Sequence, residues 1–167
     1  MSKIKTKANK NQITSLDKYY NIFKILLTLT PVMSLMYLSM ESSRMGLPMQ
    51  QVVQENPKIT IMFLVSMINP FIAYLIMFIQ KKIRDNDVEY AVVNLTLFIV
   101  AEILLQNILY VVIFGYILYK TLNTYNLTIG DSFKSKLNNG FFMTISGSLV
   151  VIVLSGICLF ANIMINM

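Results

Sequence analysis

The chain has no histidine and no tryptophan, a single cysteine and only 8 acidic residues in 167. Without histidine it lacks the commonest metal ligand and the usual general base. Its lone thiol, Cys158, can form no internal disulfide, and no second ligand stands at metal-binding spacing from it. Charged residues make up 13% of the chain, about half the share usual in a soluble domain. Catalytic signatures are missing as well: there is no HExxH, no Walker A motif and no GxSxG. At Gly130-Asp131, Thr128 occupies the place of the first glycine of a GxGD motif, and the apolar runs hold no second aspartate. These absences argue against an enzyme, a bound metal and a cofactor.

What remains is apolar. Hydrophobic residues are 56% of the chain and the mean hydropathy is +0.63. Four long apolar runs cover about residues 22–40, 59–79, 91–118 and 141–165, each long enough to cross a hydrocarbon core of about 30 Å. The fold expected is an all-α integral membrane protein, a four-helix transmembrane bundle with both termini in the cytoplasm. Pro31 and Pro70 fall near the middle of the first two runs and are expected to kink them, because proline removes a backbone donor. Residues 1–18 read as a basic cytoplasmic tail and 19–167 as one transmembrane domain. Between the first two runs, Glu41 to Lys58 carries Gly46, Pro48 and Pro57 and reads as a loop. Thr128-Ile-Gly-Asp131 resembles a capping-box start, so an interfacial helix is expected over 128–140, the alternative being a plain lead-in to the last run.

The net charge is +6, with six lysines (Lys3, Lys5, Lys7, Lys10, Lys18 and Lys24) near one end. Beside a membrane span such a cluster reads as an orientation signal rather than a nucleic-acid surface. Lys18, Lys24, Lys81, Lys82 and Arg84 are the expected lipid-headgroup anchors. With four spans and the N-terminus inside, nine basic residues lie inside and five outside. If the third run instead bends back on itself around Glu102 to Asn107, the division becomes twelve against two. That competing topology suits the charge rule better, but no proline interrupts residues 91–118 and the first glycine there is Gly115, so one continuous helix is the leading expectation. The wealth of Ile, Lys and Asn suggests a bacterium with an AT-rich genome and a place in its plasma membrane.

Glu102 sits near the middle of the third run. A carboxylate there costs roughly 3 kcal/mol on insertion scales and usually faces a protein interior or a wet cavity. On a continuous helix at about 100° per residue, Gln106 lies about 40° from Glu102, with Tyr110 about 80° to one side and Asn94 about 80° to the other. Glu102, Gln106, Tyr110 and Asn94 therefore form the candidate intramembrane polar site. The fourth run carries a narrow seam of small and weakly polar residues, Thr144, Ser148, Ser155, Cys158 and Asn162, suited to close helix packing.

Two functions are compatible with this pattern. The first is a small non-enzymatic membrane protein acting through helix–helix contacts with partner membrane proteins, as an accessory, assembly or immunity-type factor. The alternative is a small oligomeric transporter or channel coupled to a proton or cation through Glu102. The partners expected are the lipid bilayer and another membrane protein, or a further copy of the chain.

Overall fold

The computed structural model describes residues 10–137 and 140–166; Lys3, Lys5 and Lys7 of the basic tail lie outside them. The described residues form seven helices: α1 (Lys10–Met45), α2 (Met49–Glu55), α3 (Pro57–Arg84), α4 (Val88–Leu104), α5 (Ile108–Tyr125), α6 (Ile129–Leu137) and α7 (Phe141–Asn166). No strand occurs among the described residues. Among the described residues, four segments are long and apolar enough to cross a membrane: Thr14–Met45, Pro57–Arg84, Ile108–Tyr125 and Phe141–Ile165. Their outer faces stay rich in exposed Ile, Leu, Met and Phe, as lipid-facing helices require. Pro31 lies inside α1 and Pro70 inside α3.

The third apolar run differs from the expectation. The single helix over 91–118 is two helices, α4 and α5, joined by a three-residue turn. Gln106 takes a left-handed conformation, φ +57°. The Gln106 N–H donates to the Ile103 carbonyl at 3.0 Å and the Asn107 N–H to the Glu102 carbonyl at 3.0 Å. This is a Schellman closure, which satisfies the last carbonyls of a helix and stops it. Phe98, eight residues before Gln106, meets Phe114, eight residues after it, with ring centroids 5.6 Å apart. The run therefore folds back as an antiparallel hairpin. Unbroken, it would measure about 42 Å at 1.5 Å per residue; broken, each arm is about 25–27 Å, and the mismatch with a core of about 30 Å disappears.

The same closure ends three other helices. Gly46, Asn86 and Asn126 have φ of +66°, +62° and +49°. The N–H of the following residue bonds back in each case: Leu47 to Ser42, Asp87 to Lys82 and Leu127 to Leu122.

α4 is the centre of the bundle. Ala91, Val92, Val93, Leu95, Phe98 and Ala101 are fully buried, the all-round apolar pattern of a helix surrounded by others. α1 and α3 are antiparallel, since Asp17 pairs with Arg84 at 3.9 Å and Asn21 accepts from Gln80 at 3.2 Å. α1 and α5 are antiparallel too: Tyr20 and Thr121 hydroxyls lie 3.0 Å apart, and Thr30 and Tyr110 hydroxyls 2.6 Å apart. α7 runs parallel to α4, with Asn94 beside Thr144 and Ser148, and Gln106 beside Asn162.

Three expectations change accordingly. The described start of α1 and the end of α7 lie at opposite ends of the bundle, whereas a four-span bundle would bring them together. Residues 10–18, read as tail, belong to α1. The segment 41–58 holds the end of α1 and all of α2, with Leu38, Val52 and Ile59 forming a small core of their own.

α6 follows the expected capping device. The Asp131 N–H donates to Thr128 Oγ1 at 3.2 Å, and the Thr128 hydroxyl donates to Asp131 Oδ2 at 2.6 Å. Lys136 pairs with Asp87 at 2.5 Å, and Asp87 also accepts from the Tyr90 N–H at 3.3 Å as the N-cap of α4. One carboxylate thus ties α6 to the start of the hairpin.

At Gly147, α7 packs tightly against Leu75 of α3. A methyl added there would stand 2.7 Å from the tip of Leu75, whereas one added at Gly156 meets nothing within 4 Å. Gly147→Leu should destabilise the bundle by about 1–3 kcal/mol through overpacking, and Gly156→Leu by far less. Denaturant titration of helical ellipticity in detergent measures both; equal midpoints would mean that α3 and α7 do not pack at this point.

Candidate functional site

Glu102 stands in the last turn of α4, just under the hairpin tip, and is 0% exposed. Neither carboxyl oxygen has a hydrogen bond of proper geometry among the described residues. The Asn107 amide comes close enough to the carboxyl to act on it without making a hydrogen bond to it. Tyr110, on the opposite arm, is near enough to feel its charge, and the Tyr110 hydroxyl is engaged with Thr30.

The turn at Gln106 redistributes the polar residues that a continuous helix would have aligned. Tyr110 is beside Glu102 as the hairpin folds. Asn94 lies two turns away and joins α4 to α7: its Nδ2 donates to the Tyr90 carbonyl at 2.8 Å and the Thr144 carbonyl at 3.1 Å, and its Oδ1 accepts from Ser148 at 2.5 Å. Gln106 sits on the tip itself, where its Oε1 accepts from Asn162 Nδ2 at 3.2 Å. Of the seam on α7, Thr144, Ser148 and Ser155 are buried, Cys158 is half-buried and Asn162 meets Gln106. Thr144 and Ser148 meet α4 from within the same chain.

The fold brings other groups to the depth of Glu102. Extending the register set by Asn21 and Gln80 places Ser34 of α1 opposite Met67 of α3, half a turn from Asn69. Leu75 packs at Gly147, so Asn69 falls opposite the stretch of α7 that holds Ser155. Between Asn94–Ser148 and Gln106–Asn162, the α4–α7 register sets Glu102 within a turn of Ser155 as well. Asn69 and Ser155 are 0% exposed and Ser34 8%. Their side-chain polar atoms also lack partners among the described residues. Such orphans are rare, because buried polar groups are almost always bonded. Ser34 and Ser155 are informative, since most buried hydroxyls of a helix can bond their own backbone one turn back. Thr96 and Thr121 do so at 2.8 Å.

Ser34 had no sequence signal beyond its place one turn after Thr30; Asn69 was marked by the following proline. Ser155 belonged to the seam but was read for packing. At the membrane ends, Lys18, Lys81, Lys82 and Arg84 are exposed and Lys24 is half-buried. The Lys82 ammonium lies 5.8 Å from the Tyr90 ring centroid, which suits a headgroup-level position. No group of His, Cys, Asp and Glu that could hold a metal occurs among the described residues.

Two cavities frame this region. One of about 250 Å³ opens between α1 and α3, lined by Tyr37, Glu41, Asn56, Lys58, Ile59 and Met62. Another of about 20 Å³ is lined at the hairpin tip by Leu104 and Leu105 together with Val65, Cys158 and Asn162; that is room for a single water.

No family model, curated protein or solved structure matches the chain. Fold and composition together define a helical-bundle membrane protein whose central, most buried helix carries the one interior carboxyl among the described residues.

Proposed function

We propose that the chain is a small, non-enzymatic multi-pass protein of a bacterial plasma membrane that binds and passes a proton or small cation at Glu102. The observation that carries this reading is that Glu102, Asn69, Ser34 and Ser155, which the helix registers set within about a turn of one depth, are all buried and without hydrogen-bond partners among the described residues. A layer of unsatisfied polar groups costs about 1–3 kcal/mol each, and intramembrane carboxyls with such surroundings mark ion pathways. Glu102 is enclosed by its own chain, so it does not serve as a contact for a partner's helix in this state.

The orientation that fits this reading puts the start of α1 in the cytoplasm. Lys81, Lys82, Arg84, Lys120, Lys134 and Lys136 then share the cytoplasmic end, and among the described Lys and Arg residues only Arg44 and Lys58 lie outside, in keeping with the positive-inside rule. The end of α7 is then outside. Pro31 and Pro70 supply the bends that let α1 and α3 open around Asn69 and Ser34.

The reading as an accessory, assembly or immunity-type factor is favoured by a different observation. The cavity at the hairpin tip has room for one water only, so a pathway needs movement, a second copy or a partner protein. Broad apolar faces on α1 and α7 offer the surface for either.

Proteoliposomes loaded with a pH-sensitive dye separate the two. The wild-type protein should collapse an imposed proton or sodium gradient, and Glu102→Gln should reduce that flux at least tenfold with folding intact. Wild-type liposomes as tight as empty ones would leave the partner-dependent reading in place.

A further inference from the structure

We propose that Glu102, Asn69, Ser34 and Ser155 form a binding site for one small monovalent cation of the sodium class. This rests on the reading of Glu102 as an ion site and names its ligand. Three features of the layer select the ion. First, the donors are all oxygens: a carboxylate, an amide carbonyl and two hydroxyls. Hard oxygen donors suit hard cations and not soft transition metals. Pro70, which has no N–H, leaves the Ser66 carbonyl one turn away as a further oxygen donor, and Ser66 is itself buried.

Second, the charge balances for one positive charge only. Glu102 is the single carboxylate at this depth, and the Lys and Arg residues of the described chain stand at the helix ends. The titratable groups facing this depth from the packed helices are Tyr110 on α5 and Cys158 on α7; α1 and α3 offer hydroxyl and amide groups there. A monovalent ion makes the layer neutral, whereas a divalent ion would leave an uncompensated charge in an apolar interior, which is far costlier.

Third, the donors come from four helices, α1, α3, α4 and α7. Glu102 lies three residues before the turn at Leu105, so its position depends on the closure at Gln106. The water-sized cavity at that turn, bordered by Asn162, is the approach from the outer end, and rotation of the tip would widen it. A bound ion would therefore lock the hairpin against α1, α3 and α7.

The test uses the purified full-length protein in detergent and needs no transport. Equilibrium binding of radioactive sodium should show a site in wild type that is absent in Glu102→Gln and at least tenfold weaker in Asn69→Leu, with helicity and elution volume unchanged. In parallel, dicyclohexylcarbodiimide, an apolar reagent that consumes protonated carboxyls, should modify Glu102. At fixed pH, sodium chloride should slow that reaction at least tenfold, while choline chloride should not. Modification of Glu102 at a rate indifferent to sodium would overturn the cation site while leaving a proton-only role for Glu102. Sodium binding that survives in Glu102→Gln would overturn it too, by placing the ion elsewhere. Should Asn69→Leu fail to fold, Ser155→Ala provides the second donor variant, with the same direction expected.

Discussion

A cysteine placed at Lys134 should be modified from the same face of a sealed vesicle as one placed at Asn86, and a cysteine at Ser43 only from the opposite face. The background is Cys158→Ala, and the reagent a membrane-impermeant maleimide. The outcome is all-or-none, because it depends on how many times the chain crosses between Asn86 and Lys134. With the turn at Gln106 the chain crosses twice, or enters and returns, and both sites share a side. With one straight helix over 91–118 they fall on opposite sides. Asp87, the cap of α4, is paired with Lys136 of α6, so the two flanking segments meet in the folded chain. Labelling of Lys134→Cys together with Ser43→Cys would sink the hairpin and the depth relations built on it.

Glu102→Lys should destabilise the bundle by roughly 3–5 kcal/mol, the cost of an unpaired charge in the interior, whereas Glu102→Gln should cost little. The lysine would be surrounded by Phe98, Ala101 and Tyr110, with no acid to answer it at that depth. Its ammonium would start from a fully buried position one turn below the hairpin tip. Glutamine keeps the shape and polarity of the neutral acid. The comparison is made by equilibrium unfolding of the two variants in mixed micelles, followed by ellipticity. Equal stabilities would mean that water reaches the layer freely and that the interior there is not apolar. A severe loss in the glutamine variant would assign the carboxyl a structural role that ion binding does not require.

The apolar pattern alone marked the membrane class and the helices α1, α3 and α7, because long apolar runs have few alternatives in a bilayer. The ends of those helices shifted by several residues: polar Lys10 to Lys18 extend α1, and Lys81 to Arg84 extend α3. Helices outlast their apolar stretch where they stand in water or headgroups. The hairpin was less legible. Its sequence signal would normally be glycine or proline, yet Gln106 adopts the left-handed conformation itself, as Asn86 and Asn126 do. Such residues are uncommon there outside glycine, and an apolar run conceals the turn. With the turn missed, the angular projection of Asn94, Gln106 and Tyr110 around Glu102 lost its meaning. The capping at Thr128 was readable because it is local; the convergence of Ser34, Asn69 and Ser155 depends on the registers of four helices and was not.

The burial of α4 also bears on how the protein is made. Its interior carboxyl and Asn94 make it the arm least suited to stand alone in lipid, and α7, which bonds Asn94, is synthesised after both arms of the hairpin. α5 emerges directly behind α4 and needs only a three-residue turn to cover it. The unit of insertion is therefore the pair. A nascent chain cut short after Leu104 would hold its most buried helix at the exit of the insertion machinery, waiting for a partner that the next eighteen or so residues supply.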